Sequence, residues 1–192
     1  MIGKDETSTY VMTIKEYFAK MKGGAESPPG VGAVELLWSW IGASIGVMIC
    51  AYLSSRYMEP HDLTLLIGSL GASAVLAFGA VKSPLAQPRN LVGGHIVSGL
   101  VGVACQQIFG SVAWLAAAMA VSLAIVAMLA TKTLHPPGGA TALIAVIGGT
   151  KIHNLGYFYA LVPAGSSALI LLIVALIVNN LAKERKYPEY WF

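Results

Sequence analysis

Gly139-Ala140-Thr141-Ala142-Leu143-Ile144-Ala145 matches Gly71-Ala72-Ser73-Ala74-Val75-Leu76-Ala77 residue class for residue class, at an offset of 68. Gly and Ala are abundant in this chain, so chance similarity is the competing explanation; the surroundings of the two runs argue against it. The chain has 192 residues, 56% hydrophobic and 11% charged, with a mean hydropathy of +0.71, against about 25% charged residues in a soluble domain. That excludes a soluble globular protein. Between Leu36 and Leu181 the formal charges are Arg56, Glu59, Asp62, Lys82, Arg89, Lys132 and Lys151, each lying between apolar runs. This is the charge map of a multispanning membrane protein.

Six apolar segments result: A (34–53), B (63–81), C (91–109), D (112–131), E (138–149) and F (157–178). A, C, D and F are long enough for a ~30 Å hydrocarbon core. E has 12 residues and reaches only about 18 Å at ~1.5 Å per residue. B is long enough, but Gly68 and Gly71 interrupt it. The two repeated runs therefore sit in the middle members of two three-segment groups. With all six segments crossing and the N-terminus inside, Lys4, Lys15, Lys20, Lys22, Lys82, Arg89, Lys132, Lys183, Arg185 and Lys186 are cytoplasmic, and Arg56 and Lys151 are outside. This bias of ten to two falls to seven to five if B and E are hairpins, so six crossings with both termini inside is expected.

A repeat of three crossings is inverted, as in secondary transporters whose midplane sites use discontinuous helices. The expected architecture is thus all-α: a 3+3 inverted repeat with a broken or short helix in the middle of each half. A helix restarting at Gly71 and another opening at Pro136-Pro137, after an extended climb from Lys132 of about 20 Å, would point their N-termini at each other. Two such termini form an anion site without a buried Lys or Arg. The expected binding groups are Gly71, Ala72, Ser73, Gly138, Gly139, Ala140 and Thr141, with Ser73 and Thr141 adding hydroxyls. The alternative is that these small residues serve only close helix packing.

His95 is the ionisable side chain clearly inside a segment, and such groups are functional candidates; a hydrogen bond to a neighbouring helix is the alternative. Ser69, Gln87, Arg89 and Asn90 are the other pathway or coupling candidates, the last three as a cytoplasmic mouth that attracts anions. For Arg89 the alternative is anchoring at lipid headgroups. His135, extended ahead of Pro136 and Pro137, is expected to shape the turn rather than do chemistry. His61 and His153 carry no signal. Gly42-x-x-x-Gly46 and Ser98-x-x-x-Gly102 predict tight helix contacts, within a chain or in a homo-oligomer. Trp38, Trp40, Tyr190 and Trp191 suit interface anchors, and Asn179 and Asn180 suit a cap for segment F.

Cys50 and Cys105 lack a second ligand at metal spacing and read as buried apolar residues. No metal or other cofactor is expected. The net charge of +3, without a basic stripe, gives no reason to expect nucleic acid. No nucleophile elbow, paired carboxylate, Walker loop or zinc signature appears, so no enzyme is expected.

Residues 1–33 form a separate polar region. Tyr10, Val11, Ile14, Tyr17, Phe18 and Met21 fall on one helical face, as in a helix lying among headgroups, and Gly23, Gly24, Pro28, Pro29 and Gly30 end it. The expected division is 1–33, a transmembrane region 34–182, and a cytoplasmic tail 183–192. Early Asp5 and Glu6 lack the pattern of a signal peptide, and insertion into a bacterial-type cell membrane is expected.

His135-Pro136-Pro137-Gly138-Gly139-Ala140-Thr141, with Ser83-Pro84-Leu85-Ala86-Gln87-Pro88-Arg89-Asn90 and Gly93-Gly94-His95, resembles the signatures of the HPP family of integral membrane proteins. The resemblance runs from about residue 34 to 180 and implies transport of a small inorganic anion, since cyanobacterial and chloroplast members carry nitrite. Some members bear a soluble C-terminal regulatory extension; this chain stops soon after segment F, so such regulation is not expected. The family is often described with four crossings, counting the long segments. The expected function is transport of nitrite or a similar monovalent anion, with His95 tuning the site. Formate, nitrate or a neutral solute are alternative substrates, and a non-transporting membrane scaffold is the reading from another class.

Overall fold

A computed structural model describes residues 12–58 and 67–192. The described residues are helical and contain no strand. They form two units, Met1–Val31 and Gly32–Phe192, the second holding every long apolar segment. His61, Tyr10 and Val11 lie outside the described residues.

In the first unit, α1 spans Ile14–Lys20. Thr13 starts it through a capping box: Thr13 Oγ1 accepts from Glu16 N at 3.2 Å, and Glu16 Oε2 accepts from Thr13 N at 2.8 Å. The Thr13 N–H and hydroxyl, both donating to Glu16 Oε2, hold the Glu16 carboxyl below its usual range. Ile14, Tyr17, Phe18 and Met21 are exposed, leaving the apolar face bare.

The second unit begins with α2 (Ala33–Leu53), which widens into a π turn over Ser54–Met58. It continues with α3 (Gly68–Ala74), extended by a π turn over Val75–Gly79. A 3-10 turn (Pro84–Ala86) leads into α4 (Pro88–Phe109) and α5 (Ala113–Ala130). Next come α6 (Pro136–Ile147), α7 (Gly149–Leu155) and α8 (Ser166–Leu181), with 3-10 and π turns between α7 and α8. Among the described residues, four helical runs are long and apolar enough to cross a membrane: 33–57, 88–109, 113–130 and 149–181. The two middle helices, 68–79 and 136–147, are shorter.

Three sequence expectations are corrected here. Segment B does not restart at Gly71; α3 begins at Gly68 and runs through that glycine, which a single Gly permits at a cost of about 1 kcal/mol. The climb to α6 is not six extended residues, because Thr131 and Lys132 stay coiled against the end of α5, where Lys132 N donates to Leu129 O and Thr133 N to Met128 O. Only Thr133, Leu134 and His135 are extended, covering about 10 Å. Segment F is interrupted where Val162 leaves the helical region (φ −133°, ψ 118°) ahead of Pro163.

Packing follows the small residues. α4 lies on α5 and α6, and α6 also packs on α5; α2 lies on α8, and α3 with its π turn packs on both; α3 meets α6, and α4 meets α8. Ala116, Ala120 and Ala124 are fully buried beside Met128 and Ala142, so the backbones approach closely where van der Waals contact drives association. The Gly42 and Gly46 pair seats Phe78, and a Cβ on Gly46 would also lie 2.7 Å from Leu171 Cδ1. A Cβ on Gly102 would lie 2.6 Å from Ala142 O. Both small-residue pairs thus make the close contacts expected of them. Cys50 and Cys105 are free and buried, as expected. Met48, Val126, Ile173 and Ile177 are exposed on the apolar exterior of an integral membrane protein.

Residues 183–192 fold back instead of trailing away. Arg185 is buried and binds Glu35 through Nε at 3.0 Å and Nη2 at 2.7 Å, Ser39 Oγ at 2.7 Å and Asn179 Oδ1 at 2.9 Å. Tyr187 Oη donates to Ala86 O, and Tyr190 Oη to Pro84 O. Asn179 also donates to Ala77 O, and Asn180 to Leu176 O and Tyr187 O. The asparagines are therefore cross-ties rather than helix caps.

Candidate functional site

Five fully buried polar side chains meet where α3, α4 and α6 come together: Ser69, Ser73, His95, His135 and Thr141. Ser69 and Ser73 share one face of α3 at i, i+4. His95 comes from α4, Thr141 from α6, and His135 is the N-cap residue of α6. Gly93 and Gly94 make this meeting possible, since a Cβ on Gly94 would lie 2.5 Å from His135 Cβ and 2.8 Å from Thr133 O. The segment Thr133–His135 therefore presses directly on α4. Asn90 fixes it there by donating to Leu134 O at 2.8 Å.

The hydrogen bonds form one chain. Thr141 Oγ1 lies 2.9 Å from Ser69 Oγ and 2.7 Å from His95 Nδ1. His95 Nε2 lies 2.7 Å from Ser73 Oγ, which lies 2.8 Å from His135 Nε2. His135 Nδ1 lies 2.8 Å from Leu85 O. A carbonyl can only accept, so His135 Nδ1 carries hydrogen, and in the neutral ring Nε2 is then an acceptor. Ser73 Oγ also lies 3.0 Å from Ser69 O. Tyr159, a buried residue that sequence reading passed over, donates to Thr141 O at 2.9 Å. No buried side-chain nitrogen or oxygen among the described residues lacks a partner.

Ser69, Ser73, His95 and Thr141 thus come together as one cluster, but the expected backbone donors are corrected. Leu70 N donates to Ile67 O at 2.9 Å, and Ala72 and Ser73 lie one turn inside α3, where their N–H groups belong to the helix ladder. At α6, Pro136 and Pro137 have no N–H, and Gly138 N donates to His135 O at 2.7 Å. Ala140 and Thr141 follow as ladder donors. The first turns of α3 and α6 meet through side chains. Nor does Gly71 accommodate a neighbour, since a Cβ there would meet nothing within 4 Å.

The expected mouth is corrected too. Gln87 is fully buried, donating to Val81 O and Ser83 O and accepting from Glu189 N. Asn90 holds the Thr133–His135 segment, and Arg89 donates to Thr131 O at 2.8 Å. Arg89 borders a groove of about 370 Å³ whose wall is largely apolar, including Val92, Leu172, Trp191 and Phe192. His153 donates to Val146 O, away from the cluster. His135 moves from a turn residue to a central member. Its sequence signal was its place before Pro136-Pro137, which fixes both its backbone and the start of α6. No cluster of three or more metal-ligating residues occurs among the described residues.

Comparison with known proteins places this geometry in context. Residues 28–188 match the family description "HPP, transmembrane region". A transmembrane protein of Dictyostelium discoideum is 47% identical over 196 residues, covering 98% of this chain and 63% of the relative. A second transmembrane protein from that organism is 43% identical over 186 residues, covering 94% of this chain and 65% of the relative. The chain thus spans less than two thirds of the length of these relatives. No solved structure matches it.

Proposed function

Because the chain belongs to the HPP family of integral membrane proteins, we propose that it moves a small monovalent inorganic anion, nitrite first among them, through the buried Ser69, Ser73, His95, His135 and Thr141 cluster. The observation that carries this reading is the convergence of both imidazole Nε2 atoms on one hydroxyl, at 2.7 and 2.8 Å, between two short helices. A bare anion at such depth is costly. Side-chain N–H and O–H groups supply the donors it needs, and one protonated ring converts the anion into a hydrogen-bonded pair. The groups now bonded to each other would turn to face the anion. Nitrite itself comes from the family resemblance. The reading assigns no catalysis and no cofactor.

The architecture we propose is a 3+3 inverted repeat: α2, α3 and α4 against α5, α6 and α8. It is supported by paired adjacencies, α2 on α8 as α5 on α4, and α3 on α2 and α8 as α6 on α5 and α4. The positive-charge count supports cytoplasmic termini in a cell membrane. Gly42 and Gly46 serve contacts within the chain, so a homo-oligomer would use another face.

The second reading, a non-transporting scaffold, draws on the same cluster: every buried polar group in it is satisfied, as a clasp between helices requires. Nitrite flux into proteoliposomes of purified protein, with chloride and nitrate as competitors and with or without a pH gradient, separates the two. Saturable uptake supports transport. Absence of flux from folded protein supports the scaffold.

A further inference from the structure

We propose that Thr141, His95, Ser73 and His135 form a directional proton relay that delivers one proton to the Leu85 side of the cluster. The inference rests on the transport reading for its purpose, but not for its chemistry. With both rings neutral, the hydrogen that His135 Nδ1 gives to Leu85 O fixes every other donor in turn. Ser73 donates to His135 Nε2, so His95 Nε2 carries hydrogen and donates to Ser73. His95 Nδ1 is then bare and accepts from Thr141. These four bonds point one way, over links of 2.7, 2.7, 2.8 and 2.8 Å.

A proton taken from water enters on Thr141 Oγ1. Thr141 passes its own to His95 Nδ1, and His95 releases its Nε2 hydrogen to Ser73. Ser73 releases its original hydrogen to His135 Nε2. At each transfer one O–H or N–H bond breaks and one forms, and the electron pair stays on the atom left behind. Thr141 and Ser73 each end with one proton, as they began, His95 ends as its other neutral tautomer, and His135 holds the positive charge. In this second state Thr141 donates to Ser69. His135 then returns a proton through Nδ1 to water or to the anion beyond Leu85.

Groups that could compete for that charge are few among the described residues. α3, α5, α6 and α8 carry no charged side chain. Arg89, at the start of α4, is engaged by Thr131 O, and the Tyr159 phenol donates to Thr141 O. The partners of both rings are uncharged.

Two measurements on the full chain in bilayers test the relay. Nitrogen-15 NMR of the histidine rings should find opposite tautomers, Nδ1–H at His135 and Nε2–H at His95; the same tautomer at both sites overturns it. In proteoliposomes with an enclosed pH dye, nitrite uptake should carry about one proton per anion. Ser73→Ala should abolish the protons carried per nitrite, and Ser73→Thr, which keeps the hydroxyl, should restore them. Nitrite flux without proton movement in the unaltered chain overturns the relay and leaves the transport reading standing. Absence of nitrite flux removes the transport reading, and the tautomers then decide the relay alone.

Discussion

The imidazoles of His95 and His135 lie with their centroids 5.1 Å apart and their planes inclined by 59°, so that both Nε2 atoms address one hydroxyl, Ser73 Oγ. Residues 40 positions apart in sequence thereby share a single proton position. Removing the hydroxyl orphans two buried nitrogens at once. At about 1–3 kcal/mol for each unsatisfied group, Ser73→Ala should cost on the order of 2–4 kcal/mol. Thermal unfolding in detergent should show a clear fall in Tm; an unchanged Tm would mean that the two nitrogens find other partners.

Gly94 and Gly71 should respond oppositely to alanine. At Gly94 the added carbon meets Thr133 O at 2.8 Å, a backbone atom that cannot swing aside. A loss of about 1–3 kcal/mol is expected. At Gly71 the carbon enters open space, and the gain in helix propensity of about 0.8–1 kcal/mol should leave the protein equally or more stable. Parallel melting curves check both.

Arg185 should be among the most costly residues outside the cluster. Its guanidinium is buried against Glu35, Ser39 and Asn179. Arg185→Met should destabilise by on the order of 2–3 kcal/mol, less than for a wholly buried pair because Glu35 is about a third exposed. A double-mutant cycle with Glu35→Gln should show strong coupling. Additive losses would assign the effect to Ser39 and Asn179 instead.

Acid should loosen the start of α1. Glu16 is held below its usual range by Thr13, so its contribution is present above the unfolded carboxylate value and is lost as pH falls through the lowered folded value. Amide exchange at Ile14–Tyr17 should quicken as pH falls below the usual carboxylate range, and Glu16→Gln should flatten that dependence.

Hydropathy and length sufficed to mark the long spans and the short helix from Pro136, because lipid requires long, nearly uncharged helices. The pairing of Ser73 with Thr141 at equivalent repeat positions led to the right helices. What escaped was which atoms face inward. Residue type alone did not tell that the ladder of α3 already engages Ala72 and Ser73, or that two prolines take away the first two N–H groups of α6. Nor could it tell that Gln87 turns inward to meet Glu189 N; that contact joins positions 102 apart in the chain.

The fold of residues 183–192 reaches further than anchoring one helix end. Tyr190 bonds to Pro84 and Tyr187 to Ala86, gripping the two neighbours of Leu85, whose carbonyl holds His135. A pull on this stretch is transmitted through two phenols to one peptide plane, and from there to an imidazole ring. The segment acts as a rein, and whatever takes hold of it also steers the histidine pair.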